Sequence, residues 1–392
     1  MRLVEQHIIK NSNLYYKELD NLCFLSKNLY NAGLYTVRQH YFQTKEFLSG
    51  FSLINKFTQE KQSDYIALPA KVSQQTLKLV EQNFKSFFNA LKSKRNGTNN
   101  RDVKIPKYLD KTGRYCLTYT NQAISSTKLK QGIIKLSETN IEFKTKIAEN
   151  IQQVRVIHKG YYIVIEIVYN YEEKEIKQNN NRYCSIDLGV NNLATISSNV
   201  LKPIIINGKP IKSINQYYNK KLSKLKSDEK TTKRIKSLHL KRNNKVKDYL
   251  HKSSRYIINH LVSNNINTLI IGLNKEWKQE INIGKRNNQN FVQIPHSTFI
   301  NMLKYKAELE GINIIIREES YTSKCSFMDN EAIQKHEIYL GKRIKRGLFE
   351  TNNKKLINAD LNGSLNILKK AIGEFQYPIE VCSTPLVYTI KQ

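Results

Sequence analysis

From Arg182 onward the apolar segments fall in an order that few folds accept. Three short runs, "RYCSIDLG", "LATISS" and "KPIIIN", come first, and a turn at Gly189 to Asn192 joins the first two. A long basic region with helical periodicity follows, Asn215 to about Asn264. Then strand "TLIIGL", helix "HSTFINMLKYKAELEG", strand "INIIIREE" and helix "NADLNGSLNILKKA" alternate. Pro295 precedes the first of these helices and Gly311 closes it, in keeping with helix-boundary chemistry. Three early strands followed by alternating helix and strand predict a three-layer α/β domain.

That order is the order of the RNase H-like fold. The first half of the chain reads differently. Leu22, Leu25, Leu29 and Val37 sit near helical spacing, and so do Leu77, Val80, Phe84, Phe87, Phe88 and Leu91 after Pro69. Their lysine-bearing polar faces fit ordinary amphipathic packing. The stretch "SKRNGTNNRDVKIPKYLDKTGRY", Ser93 to Tyr115, is basic and turn-rich. It reads as a solvated linker, or as a loop along a phosphate backbone with Tyr108 or Tyr115 stacking on a base. Residues 130 to 170 alternate as strands, with a turn at His158-Lys159-Gly160. The expected layout is a β-barrel from residues 1–15 and 100–178 and a helical insert from 16–99. The α/β domain follows from 179–324 and 350–392, interrupted by an insert at 325–349.

Charge points to the partner. The 392 residues carry 64 Lys and Arg against 33 Asp and Glu, a net charge of +31. A folded basic chain of this kind attracts polyanions, and the spread of the charge favours nucleic acid over a membrane surface. No run of eighteen apolar residues exists, and the N-terminus has no apolar signal core, so a cytoplasmic protein is expected. The five cysteines are scattered and never form CxxC, which fits free thiols.

A nuclease of RNase H-like fold needs carboxylates that hold two divalent cations, because hard cations take oxygen ligands. Candidates stand where such a fold would need them. Asp187 follows "YCSI" at a strand end, although Asp before Gly is also ordinary turn chemistry. Glu318 and Glu319 end "INIIIR", and alternation alone does not separate them. Asp360 opens the last helix, where an N-cap role competes.

At these residues the chain resembles the TnpB (OrfB) family, accessory proteins of bacterial and archaeal insertion sequences related to the ancestors of type V CRISPR effectors. The resembling segments are "CSIDLGVNNLATI", "IIGLNKEWKQEINIGKRNNQNFVQIP", "EESYTSKCSFMDN", "GKRIKRGLF" and "INADLNGSLNILKKA", over roughly residues 180 to 370. The resemblance implies a RuvC-like nuclease domain, with a wedge β-barrel and helical recognition insert in the N-terminal half. It implies an RNA-guided DNA endonuclease, dependent on Mg²⁺ (Mn²⁺ as an alternative). Its partners would be a guide RNA from the element and target double-stranded DNA with an adjacent motif. A monomer or weak dimer in the bacterial or archaeal cytoplasm, nucleoid-associated, is expected.

Carried over by position, Asp187 matches the first acid and Asp360 the third. The second departs from the common pattern: Ile271 and Gly272 occupy the strand where many members carry Glu. A branch with "IGxN" and "WKQ" has its acid just before "YTSK", which selects Glu319, with Glu318 as fallback and Glu276 third. The zinc ribbon common in the family has only Cys325 and His336 in its interval, too few for four ligands. No zinc is expected, and a basic hairpin around "EIYLGKRIKRGLF" stands in its place. Lys342, Arg343, Lys345 and Arg346 there, and Lys221, Lys224, Lys241 and Arg242 in the basic helices, are candidate nucleic-acid contacts. The missing strand Glu leaves an alternative, a nuclease-inactive RNA-guided DNA-binding protein that represses transcription.

Overall fold

The computed structural model describes all residues except 99–100, 161, 227–232, 275–283, 376, 378–384 and 391–392, and of 285–287 and 290 the backbone alone. The chain divides into two units, Met1–Glu172 and Glu173–Gln392. Glu276 and Cys382 lie outside the described residues.

In the first unit, strands β1 (Arg2–Lys10), β2 (Leu117–Thr120), β5 (Ile151–His158) and β6 (Tyr162–Asn170) form an antiparallel sheet in the order β1-β6-β5-β2. Short strands β3 (Ile133–Lys135) and β4 (Glu142–Lys144) pair separately, after the short helix α5 (Ser126–Lys130). Where a barrel is expected, the strand pairing of the described residues leaves β1 and β2 as open edges. The helices inserted after β1 are α1 (Tyr16–Thr44), α2 (Gly50–Gln59), α3 (Ser63–Ile66) and α4 (Ala70–Arg95). Their apolar stripes pack with one face of the sheet, Ile163, Ile165 and Ile167 included, in a single core. Period-2 alternation in β6 puts these three residues on the same side.

The second unit carries the predicted α/β order. Strands β7 (Tyr183–Leu188), β8 (Asn192–Ser198) and β9 (Ile204–Asn207) are antiparallel to one another. After helices α6 (Lys209–Leu225) and α7 (Lys233–Ser263), strand β10 (Thr268–Gly272) runs parallel to β7. Helices α8 (Lys285–Val292) and α9 (His296–Glu308) lead to β11 (Asn313–Arg317), parallel to β10. β10 is fully buried and uniformly apolar, as a central parallel strand must be, whereas β11 is a half-exposed edge. Strands β12 (Lys342–Lys345), β13 (Leu348–Glu350) and β14 (Leu356–Asn358) make a small antiparallel sheet, one strand more than the hairpin expected there. Helix α10 (Ala359–Ile372) follows at once and packs on β7 and β8. The final strand β15 (Leu386–Tyr388) pairs parallel with β9, so the described sheet runs β11-β10-β7-β8-β9-β15. The sequence reading missed β15 because three residues are too short for an alternation signal. Among the described residues no helix is long and apolar enough to cross a membrane.

Candidate functional site

Three acids meet at one end of the second unit's sheet. Asp187 is the fifth residue of β7, beside its C-terminal end. Glu319 lies two residues past β11, and its backbone N–H donates to the Asn274 side-chain oxygen at 3.1 Å. Asp360 sits in the first turn of α10. The three are close enough to interact. Burial raises the Asp187 carboxyl well above the ordinary Asp range, and the charges of Glu319 and Asp360 raise it further. Burial also raises Glu319.

The last helix is shaped to bring Asp360 in. Asn358 caps it, accepting from the N–H groups of Asp360 and Leu361 at 3.0 and 3.1 Å. The N-cap reading of Asp360 therefore falls: the cap is two residues earlier, which leaves the Asp360 carboxylate free for other partners. It accepts from the Asn192 side-chain amide at 2.7 Å and from Arg343 at 3.0 Å. Small residues let the helix lie close on the sheet. A Cβ on Gly363 would stand 2.9 Å from Asp187 Oδ2. Next to it, the Ser364 hydroxyl lies 2.8 Å from that of Ser197 and donates to Thr195 O at 3.0 Å. Asn362 and Asn366 donate to Cys325 O at 2.8 and 2.7 Å, tying the helix to the segment that follows Glu319. Asn192, Asn358 and Gly363 were missed in the sequence reading. The Asn-x-Asp start of "NADLNGS" was the available signal for the cap; nothing local marks Asn192, which acts across the fold.

The two adjacent glutamates separate cleanly. Glu319 is half-buried with its Oε2 against Gly272, whereas Glu318 is exposed and bonded to Ser320 and Lys370. The Ser320 bond and Lys370 lower the Glu318 carboxyl below its ordinary value.

By chemistry the set Asp187, Glu319 and Asp360 suits a hard divalent cation, since it supplies oxygen donors from three elements. The side chains are not drawn into a closed cage. Among the described residues no group of three or more His, Cys, Asp or Glu stands in ligating arrangement. Positive charge beside Asp360 comes instead from the Arg343 guanidinium, which also lowers Asp187.

The insert after Glu319 is held by carboxylates. Glu331, 5% exposed, accepts from Ser326 N at 2.6 Å and Leu340 N at 3.0 Å. Asp329 accepts from the Ser326 hydroxyl at 2.6 Å and Asn352 N at 2.9 Å. Cys325 is buried with its thiol toward Gln334 O, and His336 turns to Ala332 O.

The candidate nucleic-acid contacts divide. Lys342, Lys345 and Arg346 are exposed on the β12–β13 hairpin, with Lys342 3.8 Å from Glu350. Lys221, Lys224 and Lys241 are exposed on α6 and α7. Arg242 is committed to structure: it donates to Asn215 at 2.8 Å and to Gln293 O at 2.7 Å. In the first unit Tyr108 is 45% exposed, with the Arg38 guanidinium 5.0 Å from its ring centre. Tyr115 corrects the other half of that expectation. Its ring lies 4.5 Å from that of Tyr30, packed against the core.

A basic α/β protein with three carboxylates converging at the end of its central strands is the class that this geometry defines. The sequence profile of OrfB_IS605, described as a probable transposase, matches residues 166–278, and that of the Cas12f1-like TNB domain matches residues 296–367. The TnpB-like protein ORF457 of Acidianus two-tailed virus is 26% identical over 213 residues, 50% of this chain and 43% of that protein. Over these residues the chain is similar to the TnpB/OrfB family. Its match spans under half the length of that viral relative. Among solved structures, the mini-RNA-guided endonuclease CRISPR-Cas_phi3 aligns over 96% of this chain and 94% of its own, with 10% identity and a TM-score of 0.49. The Cas12f1–sgRNA–target DNA complex aligns over 93% and 98%, with 14% identity and a TM-score of 0.40.

Proposed function

We propose that this protein is a transposon-associated RNA-guided DNA endonuclease with one metal-dependent, RuvC-like site. The observation that carries the proposal is the approach of Asp187, Glu319 and Asp360 from three separate parts of the domain, in a chain similar to the TnpB/OrfB family. The strand order β9-β8-β7-β10-β11, three antiparallel strands then two parallel ones, agrees with an RNase H-like domain.

Asp187, Glu319 and Asp360 would hold Mg²⁺, or Mn²⁺ in its place. Bound there, divalent cations supply an activated water and stabilise the leaving oxygen of phosphodiester hydrolysis. The protein's own residues arrange the donors. Asn192 orients Asp360, Asn274 anchors the backbone at Glu319, and the glycines at 272 and 363 leave room for the carboxylates. Lys342, Lys345 and Arg346 contact phosphates near the site. In this reading the first unit serves as wedge and recognition insert, and its partners are the element's guide RNA and a target duplex with an adjacent motif. No zinc is required, because Glu331 and Asp329 organise the insert.

The test is to copurify the protein with its native RNA and assay a matched plasmid with Mg²⁺, comparing Asp187→Ala, Glu319→Ala and Glu318→Ala. Cleavage by the wild type that is lost in the first two variants supports the proposal. RNA-dependent DNA binding without cleavage by the wild type favours instead a nuclease-inactive, guide-directed repressor.

A further inference from the structure

Helices α6 and α7 enclose a groove of about 1120 Å³ that no catalytic residue enters. Its floor is apolar, formed by Ile214, Leu225 and Leu238. Its rim carries Lys221, Lys233, Arg234, Lys241 and Lys245, all exposed, and no Asp or Glu lines it among the described residues. Tyr217 stands in the wall with 60% of its surface exposed, and the Lys221 ammonium lies 5.8 Å from its ring centre. The two helices are locked together by residues that line the groove or touch its lining. The Tyr218 hydroxyl meets His239 Nδ1 at 2.7 Å, and Arg242 donates to Asn215 at 2.8 Å.

We infer that this groove binds a single-stranded stretch of polynucleotide, with phosphates on the lysine rim and a base stacked on Tyr217. Apolar and aromatic surface flanked by cations, with no acid lining the groove among the described residues, suits a ligand that is anionic on one edge and flat and apolar on the other. An unpaired nucleotide has both features. In a duplex both faces of every internal base are already stacked on neighbours, so none is free to stack on Tyr217. A duplex would meet only the rim lysines and leave Tyr217 idle. The inference rests on the nucleic-acid function proposed above, but not on its catalytic acids.

The test uses full-length protein freed of bound RNA and a fluorescent oligothymidylate about 12 nucleotides long, within the range of known single-strand sites. An oligouridylate and a DNA duplex of the same length are competitors. Tyr217→Ala should weaken binding about fivefold or more, the scale of one lost stacking contact, while Tyr217→Phe keeps wild-type affinity. Neutralising Lys241 and Lys245 to Gln should lower the slope of log affinity against log salt by about 1.4, two single-strand phosphate contacts. The uridylate and thymidylate arms show whether the ribose 2′-hydroxyl is read. Equal competition by the duplex, or unchanged binding in Tyr217→Ala, would overturn the inference. Asp187→Ala keeps groove binding, so lost plasmid cleavage with intact oligonucleotide binding counts against the nuclease reading alone. Cleavage with no oligonucleotide binding by wild type counts against the groove alone.

Discussion

The Oε2 atom of Glu319 lies 2.9 Å from the point where a Cβ on Gly272 would stand. The carboxylate thus comes up against the end of β10, the strand in which many family members carry their second acid. A carboxylate supplied from beyond the neighbouring edge strand reaches that end of the sheet, and the glycine leaves space for it.

Glu319→Gln is expected to reduce Mg²⁺-dependent cleavage by about 10²–10³, the usual cost of losing one preorganised electrostatic group. Glu318→Gln should retain near-wild-type rates, since its carboxylate faces solvent, Ser320 and Lys370. Rates measured side by side on a matched plasmid check both; the reverse pattern would transfer the role to Glu318.

In the proposed site Arg343 would compete with a cation for Asp360. Its guanidinium lies 3.0 Å from Asp360 Oδ1, with the two side chains 46% and 30% exposed. Arg343→Ala should therefore tighten Mn²⁺ binding to the RNA-free protein about two- to fivefold, the scale of one partly exposed ion pair. Titration followed by electron paramagnetic resonance reads this directly. Unchanged or weaker Mn²⁺ binding would show that the arginine does not oppose the metal.

Gly363→Ala sets two effects against each other. Alanine gains up to about 1 kcal/mol of helix propensity, yet its Cβ would stand 2.9 Å from Asp187 Oδ2. The carboxylate has to shift, so cleavage should fall at least tenfold, about 1.4 kcal/mol in the barrier, while the melting temperature changes little. A variant with full activity would show that the helix can back away from the sheet.

Asp187 weakens the metal-free fold when ionised. Its folded-state pKa lies above the ordinary value of 3.8, chiefly through burial. Folding therefore favours the protonated form, and stability declines as pH rises from that value toward the raised one. Asp187→Asn should melt a few degrees above wild type at neutral pH, the scale of about 1 kcal/mol, and lose that advantage near pH 4, where the unfolded carboxyl is half protonated. Calorimetry of metal-free protein at both pH values tests the sign.

Glu331 accepts from two backbone N–H groups of the insert, Ser326 and Leu340. Glu331→Ala leaves the buried N–H of Ser326, and the part-buried N–H of Leu340, without their acceptor and should cost about 1–3 kcal/mol. Wild-type melting should not respond to a zinc chelator. A chelator-induced drop in melting temperature would reveal a metal that these carboxylates do not replace.

The legible part of this protein was whatever a local pattern records. Strand runs, helix stops and the order of segments after Arg182 appear in the sheet as read, because burial on a central strand selects continuous apolar residues and an amphipathic helix selects a stripe. Asp187 and Asp360 stood out for the same reason, each at a boundary between an apolar element and a turn. The N-cap role that competed at Asp360 belongs to Asn358, two residues earlier, because Asn358, Asp360 and their neighbours are all polar enough to cap the helix.

Sequence by itself determined the α/β order, the resemblance to the TnpB/OrfB family and the excess of positive charge. Tertiary structure alone decided which glutamate turns inward, that Arg343 meets Asp360, that Tyr115 packs on Tyr30 and that Arg242 braces two helices. These are contacts between segments distant in the chain or outcomes of an edge strand's last turn. No period of two or 3.6 residues encodes them, because they arise only when separate elements pack against one another.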